Sequence, residues 1–437
     1  MGRLRVSFVA LAAAVSCLAA NSLSALADDN HQVDEGGLQA WSDSSGHGHH
    51  PNPGDRTIDF WSGQTTVGDT TYSYDIVGAD PASGQASTII VDVVPVNLTI
   101  AGRTFRGTDI VDQVLGSPVF AINDYSSTVA ASTAMMGRGP GGPLSAENDG
   151  VQLLDATMRS HFNQVGTGYH LLLSPQVHKP VAITVPPSSH PTTLTSRGGV
   201  TVGDVDEDWF QDQVISLTTS LHYLEPHRLA MFLTYDVMLY KDHVPTHCCV
   251  VGTHGFADTT AEGNGSEGRR ALQTFMWSSW ITAGFFSPTR QWAIRDINGL
   301  SHELSEWAAN PFATDPPDLS LTNRTPGWRL AAAAPCEDLL EAGDPVAGVG
   351  FSVGSNTFSD LADPTRTATN PLGWADGTFH GQDTVFLPWF FRASPNTLSQ
   401  PSQGSTNGRY TFLGNLNRVV SMDPPHNLVF ASPSAGC

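Results

Sequence analysis

Glycine and proline, 42 and 29 of the 437 residues, cut this chain into short pieces. Neither residue suits the interior of a helix or a central strand, so elements must be short and loops many. Hydrophobic residues make up 40% of the chain, with 10 Trp and 20 Phe, which is enough to pack a core. Charged residues are only 14%, and acids outnumber bases 42 to 21, for a net charge of −21. The only lysines are Lys179 and Lys241. Phosphate neutralisation needs clustered basic side chains, so nucleic acid is excluded as a partner, and an anionic membrane surface would repel the chain.

The N-terminus reads as a secretory signal over residues 1–27. Arg3 and Arg5 precede an apolar stretch, Val6 to Ala20, and Ala25-Leu26-Ala27 offers a small-residue cleavage site. The apolar run is short for a stable span of about 20 residues. Cleavage takes the net charge from −21 to −23 by removing two arginines. Cys248, Cys249, Cys336 and Cys437 then remain, an even set suited to an oxidising compartment. Residues 28–56 are polar and rich in Gly and His, without apolar periodicity, and are expected to be disordered.

Order is expected from about residue 57, with a β-rich region over 57–190. Thr71–Val77, Ser87–Leu98, Arg103–Phe105, Tyr169–Leu173 and Val181–Val185 are β-branched and aromatic. Asn148 to Asn163 has helical apolar spacing, capped by Asn148 or Asp149. Pro186 to Val202 reads as a linker. A second region, 203–437, opens with a helix over Asp208–Leu221 and strands at Ala230–Leu239, Cys248–Thr253 and Gln273–Ile281. It continues with a helix over Trp292–Ala309 that stops at Asn310-Pro311. The remainder is mostly irregular. The two regions can form one continuous domain, and the order of elements suits an α+β fold.

The last of these helices carries Ser301-His302-Glu303-Leu304-Ser305-Glu306-Trp307. His302 and Glu306, four apart, share a face with Cβ atoms about 6 Å apart. This is the zinc-protease pattern H-E-x-x-H with its second histidine replaced by glutamate. Imidazole and carboxylate both bind zinc, and Glu303 between them can serve as base for a water. A third metal ligand is expected downstream, where Glu337, Asp338, Glu341 and Asp344 cluster, with Asp344 or Glu341 favoured. A disulfide from Cys336 to Cys248 or Cys249 would pin this segment beside the strand carrying His254. His254 and His380 are further candidates, each readable as a ligand, a transition-state donor or a core histidine. Trp277, Trp280, Trp292 and Trp307 read as core, with an aromatic cleft as the alternative.

Several stretches resemble a family of secreted proteins with a zincin-like H-E-x-x-E signature and, more distantly, the plant phosphate-induced, Exordium-like proteins. They are Cys248-Cys249-Val250-Val251-Gly252-Thr253-His254-Gly255, Leu300 to Trp307 with Asn310-Pro311, Thr325-Pro326-Gly327-Trp328, Leu340 to Pro345, Phe379-His380-Gly381-Gln382-Asp383 and Gly408-Arg409-Tyr410-Thr411-Phe412. The resemblance implies a zincin-like layer of mixed sheet and helices, with Glu341 and Asp344 matching an expected Glu-x-x-Asp segment. It implies a metallopeptidase-like hydrolase using zinc or another divalent cation, with a peptide or protein substrate. The alternatives are a non-catalytic extracellular binding module that uses the same ion structurally and, below it, an enzyme acting on cell-wall polysaccharide.

Overall fold

The computed structural model describes residues 51, 54–123, 125, 150–196, 199–260, 269–283, 285, 295–313, 323–328, 337–347, 350–355, 377–393 and 410–412. The signal and the segment before Pro51 lie outside them. Strands β1 (Phe60–Val67) and β2 (Thr70–Val77) form an antiparallel hairpin. The long β3 (Ala86–Ile100) returns as antiparallel β4 (Arg103–Arg106), followed by helices α1 (Val111–Gly116) and α2 (Leu153–His161). Next come β5 (His170–Val177) and β6 (Val181–Thr184), both parallel to β3. Then follow β7 (Thr192–Thr195), β8 (Thr201–Asp206), helix α3 (Glu207–Ser220), β9 (Leu229–Tyr235), β10 (Val237–Tyr240), β11 (Cys248–Val250), β12 (Gly252–Asp258) and β13 (Leu272–Trp280). Helix α4 (Asn298–Ala309) precedes the pairs β14 (Arg324–Trp328) with β15 (Glu337–Leu339) and β16 (Gly350–Val353) with β17 (Phe379–Gln382), and a short α5 (Leu387–Phe390).

The fold is α+β. Its main sheet runs β12-β13-β9-β3, with β4, β5 and β6 completing it along β3. β3, β9 and β13 are mutually parallel, and β12 closes one edge antiparallel to β13. Because β3 and β9 pair directly, strands from 57–190 and from 203–437 share one sheet. Both faces of this sheet are covered, which explains its near-continuous apolar strands. Leu229, Met231 and Leu233 of β9 point to the core under α2 and α4, while Ala230 and Phe232 point to the core under α3. The same alternation puts Leu272, Met276 and Trp280 of β13 on the α4 side.

A second sheet, β11-β10-β8-β7, corrects three sequence expectations. Pro186 to Val202 is not a linker: it holds β7, and the hairpin to β8 turns through Gly199 at φ 83°. Ala230–Leu239 is two strands in different sheets, broken at Asp236 with φ 52°. The Asp236 carboxylate accepts from Thr282 N and Oγ1 at 2.7 and 2.8 Å, which holds this left-handed kink. Cys248–Thr253 likewise splits, β11 lying in the second sheet and β12 in the main one.

Helix boundaries also shift. α3 begins at Glu207 because Asp206 caps it, accepting from Trp209 N at 3.1 Å. α2 starts at Leu153, and the caps expected at Asn148 and Asp149 lie outside the described residues. α4 starts at Asn298, after Asp296 at φ 40°. Every residue of α4 is buried, as befits a helix at the centre of the molecule.

The second sheet also holds Asp204 on β8, fully buried, with neither carboxylate oxygen hydrogen-bonded among the described residues. Burial pushes its carboxyl up to about 8. The unfolded chain ionises near the ordinary carboxylate value, so the folded state keeps a proton that the unfolded state loses. Stability should therefore fall as pH rises from about 4 to about 8, by up to about 1.4 kcal/mol per pH unit. Asp204→Asn should flatten that slope in denaturant melts, gaining on the native chain as pH rises; parallel slopes would contradict this.

Candidate metal centre

Helix α4 lies against β12 and β13, and the H-E-x-x-E residues face the edge strand β12 and the segment after β15. His302 and Glu306 meet as their spacing requires, with Nε2 to Oε2 at 3.1 Å. Asp344 Oδ1 stands 3.5 Å from the same Nε2. From the sheet side, period two places His254 with Phe256 on the α4 face of β12. His254 Nδ1 lies 3.2 Å from Glu303 Oε2 and 3.8 Å from Glu306 Oε2, and its Nε2 lies 3.6 Å from Glu341 Oε2. Two imidazoles and four carboxylates thus converge, and none of the six side chains is more than 8% exposed.

The carboxylates are aimed by backbone and amide donors. Glu306 Oε1 accepts from Gly343 N at 3.1 Å. Glu341 Oε1 accepts from Asn310 Nδ2 at 3.0 Å. Asn310 is the residue that ends α4, and its Oδ1 also accepts from Asn323 N at 3.0 Å, so the helix stop ties the downstream chain to the site. On the far side of His302, the Gln382 carboxamide meets Nδ1 at 2.5 Å and donates to the Gly343 carbonyl at 3.0 Å. Gln382 is delivered by β17, whose backbone N–H at 382 donates to Ser301 Oγ at 2.9 Å.

Two glycines leave room for the ligands. A Cβ at Gly252 would stand 2.5 Å from Glu303 Cγ, and one at Gly343 would stand 2.6 Å from His302 Nδ1. Gly343→Ala should therefore push the His302 imidazole aside and cut bound metal by tenfold or more at limiting metal, read by metal analysis after gel filtration. Unchanged binding would show that His302 is not held as described.

Charge is concentrated here without basic relief. Among the described residues the ion-pair partners of these four carboxylates are the two histidines alone. Burial pushes the Glu341 carboxyl up to about 8, against the opposing pull of His254. Burial raises Asp344 well above the usual carboxylate range, with Glu306 adding to it, and burial raises Glu303 too. Burial alone would raise Glu306 as well, but His302, together with His254 and a hydrogen bond from Asp344, outweighs it and holds Glu306 below its ordinary value. Burial would lower both imidazoles, yet the surrounding carboxylates outweigh it, carrying His254 up to about 9 and His302 well above its ordinary value.

Three buried atoms at the convergence, His254 Nε2, Glu341 Oε2 and Asp344 Oδ1, have no hydrogen-bond partner among the described residues. A buried polar atom left without a partner carries a desolvation cost. Donors of these types, oriented inward and unsatisfied, fit a divalent cation. His302, Glu306 and Asp344 form one group able to hold such an ion, and His254, Glu306 and Glu341 form another.

The sequence-derived residues fall into place unevenly. His302, Glu303, Glu306, Glu341 and Asp344 come together. His380 does not: its Nδ1 bonds Asp296 Oδ2 at 2.6 Å and its Nε2 meets Arg295, so it braces β17 against the start of α4. Glu337 and Asp338 stay outside on β15, where Asp338 pairs with Arg324. The expected bridge to Cys336 is corrected, since Cys248 is bonded to Cys249. The segment is held by Asn310 instead. Trp277, Trp280 and Trp307 are core, and Trp292 lies outside the described residues. Gln382, Asn310, Gly252 and Gly343 were not singled out as site residues, although each lies in a stretch that carries the resemblance and Asn310 also marked the helix stop.

Comparison with known proteins gives no match to a family model, to a curated protein or to a solved structure. No helix among the described residues is long and apolar enough to cross a membrane.

Proposed function

We propose that this chain is a secreted, zincin-like metalloprotein that hydrolyses peptide bonds with zinc or another divalent cation. One observation carries the metal: the unsatisfied, buried Nε2, Oε2 and Oδ1 atoms of His254, Glu341 and Asp344 meeting beside His302 and Glu306. The H-E-x-x-E helix beneath an antiparallel edge strand supports the hydrolase. His302, Glu306 and Asp344 would hold the ion, which supplies Lewis acidity toward a scissile carbonyl and toward water. Glu303 acts as the base. Its Oε2 faces His254 Nδ1, and Oε1 lies against the bare backbone of Gly252. Burial raises its carboxyl in the direction that general acid–base work needs.

The closure of the site favours a second reading. Structural metal sites are closed, whereas catalytic ones keep an open position, and the six side chains here are all buried. In that reading the ion ties α4 to β12 and to residues 341–344. Glu303→Gln separates the two. A catalytic Glu303 predicts loss of peptide hydrolysis by about 10²–10⁴-fold with bound metal and melting temperature retained. A wild-type protein that binds metal but cleaves no peptide library would favour the structural role.

A further inference from the structure

The cluster holds more ligands than one small ion needs, and they divide into two sets around a shared carboxylate. Glu306 belongs to both groups, His302–Glu306–Asp344 and His254–Glu306–Glu341, and within each group the ligand atoms lie within 4.8 Å of one another. We propose a second divalent-cation subsite beside the first, formed by His254 Nε2 and Glu341 Oε2 and sharing Glu306. This rests on reading the cluster as a metal centre, and extends it from one ion to two.

The second set is prepared as metal ligands usually are. Metal-binding imidazoles donate their other N–H to a carboxylate, which fixes the tautomer. With its proton on Nδ1, His254 donates to Glu303 Oε2 at 3.2 Å, leaving the Nε2 lone pair free. Asn310 occupies Glu341 Oε1 at 3.0 Å, leaving Oε2 free. Both free atoms are buried and lack a hydrogen-bond partner among the described residues. They stand 3.6 Å apart. Two ligands on one tetrahedral ion at about 2.1 Å stand about 3.4 Å apart. Neither atom is within the His302–Asp344 set, so a first ion held there leaves both unsatisfied.

Glu306 Oε2 lies 3.1 Å from His302 Nε2, and Glu306 also has a ligand atom within 4.8 Å of those of His254 and Glu341, so it is the carboxylate shared by both sets. Paired ions of this kind typically sit about 3.5–4 Å apart. Glu303 then has two tasks, orienting His254 through Oε2 and serving as base through Oε1.

The test is metal stoichiometry on the full mature chain, stripped with chelator, reloaded with Zn²⁺ and freed of excess by gel filtration. The expected result is two equivalents in the wild type and one in His254→Gln and in Glu341→Gln. Glu341→Gln is nearly isosteric and guards against a folding defect in the histidine variant; circular dichroism verifies both. Reloading with Co²⁺ should give spin coupling between neighbouring ions in the wild type that vanishes in either variant. One equivalent in the wild type, kept in His254→Gln and lost in His302→Ala, would overturn the second subsite and leave the first intact. One equivalent lost in both would show a single ion using both histidines, and also overturn it. No bound metal in the wild type would overturn the proposed function itself.

Discussion

Glu306→Ala will leave the protein without bound metal, the largest single effect expected in the molecule. Among the described residues Glu306 is the one carboxylate that reaches both imidazoles, at 3.1 and 3.8 Å, and it is 1% exposed. Its Oε1 also receives the Gly343 amide at 3.1 Å, so truncation leaves that donor unmet and frees the segment carrying Asp344. His302→Ala should remove the first ion but spare the helix stop and Asn310. Inductively coupled plasma analysis after gel filtration reads both. Full metal content in Glu306→Ala, with a native circular dichroism spectrum, would show that the ion sits elsewhere.

Chelation will lower the melting temperature of the wild type by about 5–10 °C, and added Zn²⁺ will restore it. An ion present at about 1,000 times its dissociation constant stabilises the folded state by about 4 kcal/mol through mass action, and a large domain shifts by a few degrees per kcal/mol. Removing the ion also returns four buried carboxylates to mutual repulsion, relieved among the described residues by the two histidines. The Glu306→Ala variant should melt low and ignore chelator. A wild-type melt unmoved by chelator and by added metal would contradict a metal at this point.

The half of the site that lies on one helix was legible in the sequence, because helical spacing alone brings His302 and Glu306 together. Asn310-Pro311 also marked the helix end correctly. The other half depends on sheet pairing. His254 sits on β12, a strand with both sides buried, so no alternation of polar and apolar residues announced its direction. The resemblance favoured Glu341 and Asp344 over Glu337 and Asp338, but composition could not separate them. Structure does: β15 turns Asp338 out to Arg324, and the chain is wholly buried from Leu339 through Ala347. The α+β class was legible, but the sheet changes at Asp236 and Val251 were not. Each hinges on one residue within an apolar run, and at Asp236 the signal is a side-chain bond to Thr282, far along the chain. The disulfide was misread because a covalent link was expected between the carboxylate segment and the strand carrying His254, whereas the Asn310 side chain ties that segment to the end of α4.

Anomalous diffraction at the zinc edge, from crystals of the mature protein grown with Zn²⁺, tests the central claim most directly. The expected result is a peak about 2.0–2.2 Å from His302 Nε2 and from a Glu306 oxygen, with Asp344 closing the set. A map with no peak among these residues, from protein whose solution metal content is also nil, would contradict it.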